Sequence, residues 1–562
     1  MEVSTKLQIG VQHHRSGRLQ SAMVIYEQIL NHFPDHPDAL HLSGLIAHQL
    51  GNSVDAVRKI RRAVEQRPQN NVFRKNLCMI LFAAGNQHMH QGLTQLAHEC
   101  FLKAIEIEPM NAEIHHNMGV ACHEIGALEK ALVHFRLAVQ LNPKLAEAYY
   151  SLGNTLRMHS GGNEAAIAAY QSALAIKPDY VDASFNLAKT FYEMERIEEA
   201  ISAYAHTLAL DPDFVDAHNS MGNAYLKLAQ YSLAISSYER AIRINPDFYE
   251  GYYNMALACK LSGKLREAVL FIEKTLALNP KFGSAVSLHV QILQQACAWS
   301  QLELACQRLD SQTEKEIAAG RCPSEQPFLN FTRHADPALN LRIARAWSDA
   351  SAAGISCMGG PFVHGHRNRK DGRMLIGYVS ERFRNAATAH LMLQLFGLHD
   401  RRQFAVYAYS YGKDDGSSYR KRIIQDADRF IDIRHLSDFD AARRIHDDGV
   451  DILVDLMGYM KHNRLGIFAF RPAPVQVEYL GYPGTTGSDF IDYLIADHVV
   501  VPSGEDKYFS EHLVRLPHSY QVNDNTQEIS KKSFSREECG LPPHAFVFCS
   551  FNPDYKIDRS MF

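Results

Sequence analysis

A series of prolines spaced about 34 residues apart constrains the fold of this chain more than any other feature. Six of the seven spacings are 34 or 35 residues, and one is 41. An alanine lies twelve residues before each proline, and a large side chain, aromatic in six of eight copies, lies eight residues before it. A pattern of this length and number indicates one structural unit repeated in series. The prolines are Pro34, Pro68, Pro109, Pro143, Pro178, Pro212, Pro246 and Pro280, preceded by Ala22, Ala56, Ala97, Ala131, Ala166, Ala200, Ala234 and Ala268.

Each repeat contains the residues of two helices joined by a tight turn. A glycine lies seventeen residues before the proline in six copies, with Glu195 and Ala229 as the exceptions, and glycine readily adopts the conformation that ends a helix. Alanine four residues before an aromatic residue lets neighbouring helices approach closely. Proline cannot continue a helix because it lacks an N–H. The pattern resembles the tetratricopeptide repeat and predicts a superhelix of about eight repeats over residues 1–290, with an insertion near residues 85–91.

Small polar residues recur in the first helix of successive repeats. Stacked helical hairpins form a concave groove that binds extended partners. A side-chain amide both donates to and accepts from a peptide backbone, so a row of amides could hold a polypeptide without reading its sequence. The alternative is that these residues only fill space between helices. The recurring residues are Asn117, Ser151, Asn186, Ser220 and Asn254, of which the three asparagines are the candidate peptide-binding residues.

The 34-residue period stops after Pro280, and two further regions follow. Residues 291–373 are predicted to form a helical connector that ends in a glycine-rich, basic linker. From residue 374 to about 535, short apolar runs alternate with amphipathic segments, which predicts a parallel, doubly wound sheet. Ligands of such sheets bind outside the carboxyl ends of the strands. The apolar runs are residues 375–379, 404–409, 452–456 and 475–480, and the helical segments between them are 389–398, 419–428 and 438–448.

Four segments of this second half occur in the order found in a known enzyme family. Residues 376–380 read IGYVS, 470–476 read FRPAPVQ, 480–485 read LGYPGT and 551–557 read FNPDYKI. These segments, their order and the repeats that precede them resemble those of the bacterial and animal protein O-GlcNAc transferases. The resemblance implies an α + α/β chain: a repeat superhelix, a Rossmann-like N-terminal lobe of the GT-B type over 374–535, and the beginning of a C-terminal, nucleotide-binding lobe over 536–562.

The resemblance also implies an activity and a set of site residues. The activity is transfer of N-acetylglucosamine from UDP-GlcNAc to Ser or Thr hydroxyls of proteins, with inversion, without a metal or other cofactor. Lys556 matches the family lysine that stabilises the leaving diphosphate and is the predicted catalytic residue. Leu480, Gly481 and Pro483 would shape the sugar pocket. The remaining donor-binding or cleft residues are Lys461, Arg464, Thr485, Asn552, Tyr555, Asn385, Thr388 and His390.

The chain departs from the family after the first strand. Arg382 stands where the family has an aspartate, and Ala386 where it has a histidine. Neither residue can remove a proton from an acceptor hydroxyl, whereas Asp and His can. A second hypothesis therefore remains: a peptide-binding repeat scaffold whose transferase lobe is catalytically impaired. Transfer of sugar to protein would distinguish an active transferase from this scaffold.

Composition excludes several classes of protein. The formal charge is -4, from 58 Lys and Arg against 62 Asp and Glu, which offers no basic footprint for nucleic acid. No apolar run approaches the roughly 20 residues of a membrane helix. The ten cysteines form no compact framework, so reduced thiols and a cytoplasmic location are expected. Protein or peptide acceptors are the expected partners.

The end of the chain leads to one more expectation. Residues 545–551 and 555–557 resemble the start of the second lobe, and only about twenty residues follow Gly540. A nucleotide-binding lobe needs on the order of 100–150 residues to bury a core. The sequence is therefore expected to be a fragment or a shortened member of the family, unable to transfer sugar by itself.

Overall fold

The computed structural model describes residues 3–159, 161–333, 336–365, 372–527, 531–544 and 546. The chain divides into two compact units, Met1–Ala258 and Cys259–Phe562. No helix among the described residues is both long and apolar enough to cross a membrane. The predicted domain limits at residues 290, 373 and 535 remain predictions.

Sixteen helices alternate along the repeat region, as the proline series predicts. The first helix of each repeat has 13 residues and the second has 14, apart from one long first helix. The first helices are α1 Val3–Arg15, α3 Pro37–Gln49, α5 Asn71–His90, α7 Ala112–Glu124, α9 Ala146–Met158, α11 Val181–Glu193, α13 Val215–Lys227 and α15 Tyr249–Leu261. The second helices are α2 Leu19–His32, α4 Ser53–Gln66, α6 Thr94–Ile107, α8 Leu128–Leu141, α10 Asn163–Ile176, α12 Ile197–Leu210, α14 Tyr231–Ile244 and α16 Leu265–Leu278.

The repeated alanine and large residue form the core of each hairpin. All eight alanines are fully buried, and the large residues, Phe135 among them, are at most 1% exposed. In six of the eight repeats their packing partner is a glycine of the first helix that the sequence pattern did not reveal. A Cβ added to Gly119 would lie 2.6 Å from Cε1 of Phe135, and one added to Gly44 would lie 2.4 Å from Cγ1 of Ile60. The large side chain therefore lies directly on the backbone of the facing helix.

The predicted insertion lengthens a helix. The first helix α5 has 20 residues where the others have 13, so the seven extra residues of the long repeat continue as helix. The glycine that faces the large residue is the eighth residue of α7 (Gly119) but the fifteenth of α5 (Gly85), so the extra residues precede Gly85 and do not lie at residues 85–91, where the insertion was predicted.

The turn inside each hairpin requires a left-handed residue even where the sequence has no glycine. The six repeat glycines have φ between 71° and 82°. Glu195 and Ala229, the two exceptions, adopt φ of 60° and 56° at the same position. Stacking of the hairpins thus imposes a conformation that L-residues adopt at a cost.

Ala229→Gly should stabilise the repeats. Ala229 is exposed, so glycine removes left-handed strain without loss of packing, and the net gain should be about 0.5–1 kcal/mol. Gly126→Ala is the matched control, because nothing lies within 4 Å of a Cβ at Gly126 and only backbone strain would be added. Urea unfolding followed by helical circular dichroism measures both changes. A loss of stability in Ala229→Gly would contradict the prediction.

The second unit contains a seven-stranded, wholly parallel sheet in the order β3-β2-β1-β4-β5-β6-β7. The strands are β1 Met374–Ser380, β2 Phe404–Ser410, β3 Arg429–Asp432, β4 Ile452–Asp455, β5 Val475–Tyr479, β6 Tyr493–Asp497 and β7 His512–Leu516. Its other helices are α17 Gly283–Gln295, α18 Trp299–Ala318, α19 Pro327–Arg333, α20 Pro337–Ala352, α21 Ala387–Met392, α22 Leu395–Leu398, α23 Ser418–Asp426, α24 Asp438–Asp448 and α25 Leu465–Ala469, with 3-10 turns at Ile355–Met358 and Asp506–Tyr508.

Helices cover both faces of this sheet. Leu375 and Val379 of β1 belong to a core with α24 and α25, whereas Ile376 and Tyr378 belong to a second core with α21, α22 and α23. The alternation along one strand places a hydrophobic layer on each side. A repeat region followed by a Rossmann-like, doubly wound lobe confirms the predicted fold class. All four predicted strands are present, while β3, β6 and β7 were not predicted.

Candidate active site

Three loops lie side by side where strands β1, β4 and β5 end. The three strands are neighbours in the sheet, with Val379 opposite Asp455 and Asp455 opposite Glu478. The loops that follow, residues 380–386, 456–464 and 480–488, are called the carboxyl edge below. This edge is where doubly wound sheets bind ligands, and it contains seven of the twelve catalytic and cleft residues predicted from the sequence.

The backbones of the second and third loops touch. A Cβ added to Gly481 would lie 2.1 Å from the carbonyl oxygen of Leu456. A Cβ on Gly458 would lie 2.5 Å from that of Tyr482. Leu480 has φ of 70°, which is strained for a residue with a side chain. The predicted pocket residues Leu480 and Gly481 thus hold a conformation that is fixed by close backbone contact, and Pro483 follows them half-buried.

A pair of buried carboxyl groups lies beneath these loops. Asp455 and Glu478 face each other on adjacent strands, and both side chains are fully withdrawn from solvent. Burial raises the pKa of Asp455 to about 6, although hydrogen bonds from the N–H groups of Met457 and Gly458, at 3.0 and 3.1 Å, lower it. Burial and the neighbouring Asp455 carboxyl raise the pKa of Glu478 well above its usual range. The arrangement favours a protonated Glu478 that donates to the Asp455 carboxylate, which in turn holds the turn after β4.

A third buried carboxylate fixes the loop after β5. Glu511 accepts hydrogen bonds from the Thr485 hydroxyl at 2.7 Å and from the Thr486 N–H at 2.6 Å. Thr485, a predicted cleft residue, is only 3% exposed, and its hydroxyl also accepts from the N–H of Ser510 at 3.2 Å. Its side chain therefore anchors the loop from within.

The loop after β1 carries an ion-pair cluster and an imidazole. Glu381 pairs with Arg382 at 3.1 Å and with Arg384 at 2.7 Å. Asn385 contacts the Nε2 atom of His390 through its side-chain oxygen at 2.7 Å. His390 also stacks on Tyr419, with ring centroids 4.1 Å apart. The structure thus brings together Asn385 and His390, while the third predicted residue of this segment, Thr388, is buried in α21.

The two predicted cations of the second loop differ in their surroundings. Lys461 is exposed. Arg464 is held by the Asp438 carboxylate at 2.7 Å and by the carbonyl oxygens of Ile433 and Leu436 at 2.9 and 2.8 Å. Its guanidinium therefore ties the loop after β4 to the loop after β3, and a role toward a ligand remains a prediction.

The three predicted peptide-binding asparagines each pair with the preceding repeat. Asn117 donates to Asn86 at 2.7 Å, Asn186 to Asn154 at 2.9 Å, and Asn254 to Asn219 at 2.9 Å, in each case from the amide nitrogen to the amide oxygen. All three are half-buried. The partner asparagines were not singled out in the sequence, although they lie 31 to 35 residues upstream, about one repeat away.

Other predicted residues lie outside the part of the chain that the structure describes. These are Lys556, Asn552 and Tyr555. Within the described ranges, no group of three or more His, Cys, Asp or Glu side chains is arranged to hold a metal ion. Sequence reasoning missed the roles of Glu478 and Glu511. The one available signal was a glutamate inside the apolar run 475–480, where a fully buried strand should have none.

Known protein families match both parts of the chain. The model of glycosyl transferase family 41 matches residues 296–534. Tetratricopeptide-repeat models match residues 13–71, 121–159, 156–195, 189–229, 215–248 and 249–282.

The chain is also similar to curated proteins. A probable UDP-N-acetylglucosamine–peptide N-acetylglucosaminyltransferase of Arabidopsis thaliana is 38% identical over 277 residues, and the enzyme of that name from Caenorhabditis elegans is 33% identical over 239. The alignments cover 47% and 42% of this chain but 28% and 21% of those proteins, so the chain spans less than a third of their length. A mutant O-GlcNAc transferase of Thermobaculum terrenum aligns with 25% identity and a TM-score of 0.43, over 61% of this chain and 58% of its own.

Proposed function

Because the chain belongs to the O-GlcNAc-transferase-like proteins of glycosyl transferase family 41 with tetratricopeptide repeats, we propose that it glycosylates proteins. The reaction is inverting transfer of N-acetylglucosamine from UDP-GlcNAc to Ser or Thr hydroxyls. The observation that carries this proposal is the family match over residues 296–534, which takes in every strand of the sheet and all three loops of the carboxyl edge.

The proposed roles follow from where charge develops in the reaction. Departure of the sugar leaves negative charge on the diphosphate, and a cationic side chain lowers the energy of that transition state. Lys556 is the residue assigned to this role. The tight loop of Leu480, Gly481 and Pro483 would receive the sugar, because its close-packed backbone presents a preformed surface. The remaining assigned cleft residues are Lys461, Arg464, Thr485, Asn385, Thr388, His390, Asn552 and Tyr555.

The acceptor polypeptide is assigned to the repeats. Each asparagine of the set Asn117, Asn186 and Asn254 uses an amide N–H toward the preceding repeat. In Asn186 the amide nitrogen also donates to the Tyr150 hydroxyl at 3.2 Å, which leaves the side-chain oxygen for a peptide backbone, and in Asn117 the side-chain oxygen contacts Nδ1 of His116 at 3.0 Å, which leaves the second N–H. The pairing also fixes the rotation of the amide, so that these groups would be presented in a constant direction.

Replacing all three asparagines by Ala should weaken binding of an extended peptide by a few kcal/mol at most, at about 1 kcal/mol per lost hydrogen bond. Gln171→Ala is the control, because it removes an exposed amide from the second helix α10. Calorimetric titration gives the affinity, and thermal melting shows whether the lost contacts between repeats have loosened the fold. Unchanged affinity in a folded triple variant would reject the asparagine row as a binding surface.

The proposed function is tested by incubating the protein expressed from its complete reading frame with radiolabelled UDP-GlcNAc and proteins of its own cell extract. Label should appear in protein and be released by alkaline β-elimination, which cleaves sugars from Ser and Thr. Release of free sugar without labelled protein would contradict the proposal. Partner capture without any turnover would instead support the impaired scaffold.

A further inference from the structure

The segment that follows strand β7 runs back along the carboxyl ends of the neighbouring strands. Residues 517–527, called the strap below, form no helix or strand. The N–H of Tyr520 donates to Oδ2 of Asp497 at 2.8 Å, and its carbonyl oxygen accepts from the hydroxyl of Tyr479 at 2.8 Å. Asp497 and Tyr479 are the last residues of β6 and β5. From the end of β7, the strap therefore passes the ends of the next two strands of the sheet in turn.

The far end of the strap is attached to α21 and to the turn after it. Nε2 of Gln527 donates to the carbonyl oxygen of His390 at 2.8 Å, and Nε2 of Gln394 donates to the hydroxyl of Thr526 at 2.7 Å. His390 lies in α21, which follows β1, and β4 separates β1 from β5 in the sheet. The strap thus joins the end of β5 to a proposed cleft residue that follows β1.

The middle of the strap belongs to a hydrophobic core that includes all three loops of the carboxyl edge. Tyr520 and Val522 are half-buried against this core. The same core contains Phe383 from the loop after β1, Leu456 from the loop after β4 and Leu480 from the loop after β5. One irregular segment therefore packs in the same core as each loop of the carboxyl edge.

We propose that Tyr479 is a positioning residue, through whose hydroxyl the strap sets the conformation of the tight loop of Leu480, Gly481 and Pro483. The inference rests on the proposed function for the role of that loop in receiving the sugar. Leu480 has φ of 70°, and a residue with a side chain keeps such a conformation only where its surroundings impose it. The residue directly before Leu480 donates the hydrogen bond to the strap, and it does so from a side chain that is only 8% exposed.

Tyr479→Phe removes the hydroxyl and keeps the ring. In the protein from the complete reading frame, the KM for UDP-GlcNAc should rise about fivefold, as expected for the loss of one hydrogen bond between neutral groups, while the KM for the acceptor stays unchanged. Tyr493→Phe is the matched control, because it removes a tyrosine hydroxyl from the opposite end of the neighbouring strand β6. An unchanged KM for UDP-GlcNAc in an active Tyr479→Phe protein would overturn the proposal, even with a lowered melting temperature, because the hydroxyl would then only stabilise the fold.

Gln394→Ala tests whether the strap acts as one unit, because it releases the far end and leaves Tyr479 in place. It should also raise the KM for UDP-GlcNAc. The free-energy effects of Gln394→Ala and Tyr479→Phe should be less than additive in the double variant, since the same strap is released only once. Fully additive effects would show two independent contacts and would overturn the proposal.

Amide hydrogen exchange tests the strap without any substrate. Tyr479→Phe and Gln394→Ala should each speed exchange in residues 480–488 and in α21, whereas Tyr493→Phe should not. Exchange that is unchanged in both strap variants would overturn the proposal. Faster exchange in a protein that transfers no sugar would count against the proposed function and leave the control of the loop by the strap standing.

Discussion

Glu478→Gln should make the stability of the sheet-containing lobe less dependent on pH and should raise that stability at pH values above neutrality. In the folded protein, burial and the neighbouring Asp455 raise the pKa of Glu478, so this carboxyl keeps a proton that it loses in the unfolded chain. Wherever the folded state binds more protons, stability falls as pH rises. The loss begins above the unfolded pKa of about 4.3 and continues until the folded pKa is reached.

Glutamine retains the shape of the protonated acid and a donor for Asp455, but it has no proton to lose. The two proteins should therefore be similar near pH 4, and above it the variant should gain on the wild type by about 1.4 kcal/mol for each pH unit until the folded pKa is reached. Urea unfolding at several pH values, followed by near-ultraviolet circular dichroism, measures the difference. Glu303→Gln, which neutralises an exposed carboxylate of α18, is the control and should follow the wild type.

Parallel stability curves for the wild type and Glu478→Gln would mean that Glu478 is ionised in the folded protein. The turn after β4 would then need another source of order, because the Asp455 carboxylate that accepts from Met457 and Gly458 would face a second negative charge. The experiment thus also tests the proton arrangement from which the rigidity of the carboxyl edge is argued.

The repeats could be predicted almost completely from the sequence because their core is local. The alanine and the large residue of one repeat pack within one hairpin, so a period of 34 residues is enough to place them. The left-handed turns at Glu195 and Ala229 could not be predicted in this way. At these two positions the packing of the flanking helices imposes a backbone conformation that Glu and Ala disfavour. Sequence reasoning at a single position has only the conformational preference of the residue to use, and here that preference points the wrong way.

The sheet was predicted where its strands are buried on both faces. The four central runs are apolar, whereas the missed strands β3 and β7 lie at the two edges and are partly exposed. An edge strand needs an apolar residue only where it meets the core, so its pattern is too short to distinguish from a loop. The strand β6, next to the edge strand β7, has only five residues. It begins with Tyr493 and ends with Asp497, so its apolar run is short.

The carboxyl edge could be placed from the sequence, but not the carboxyl pair beneath it. The rule that ligands bind beyond the strand ends requires only the strand order and the loops. That Asp455 lies opposite Glu478 depends on the register of β4 and β5, which sequence periodicity leaves undetermined.

Lys556→Ala should reduce the turnover number by about 10²–10³, while peptide binding stays within twofold of the wild type. The assigned role of Lys556 is to neutralise charge that appears only as the sugar–phosphate bond breaks. Loss of such an interaction raises the barrier to the chemical step and leaves the complex with the acceptor unaffected. Initial rates of radiolabelled transfer, measured at saturating UDP-GlcNAc with the protein from the complete reading frame, give the turnover number.

Lys531→Ala is the matched control, because it removes an exposed lysine from the same C-terminal stretch of the chain and should leave the rate unchanged. Lys556→Arg adds a second comparison. Arginine keeps the charge but spreads it over a planar fork, so partial recovery relative to Ala would indicate that charge near the diphosphate matters most. A Lys556→Ala protein within threefold of the wild-type rate would remove this residue from the catalytic role. The developing charge would then have to be met by other groups, and the cations of the carboxyl edge, Lys461 foremost, would be the next to replace.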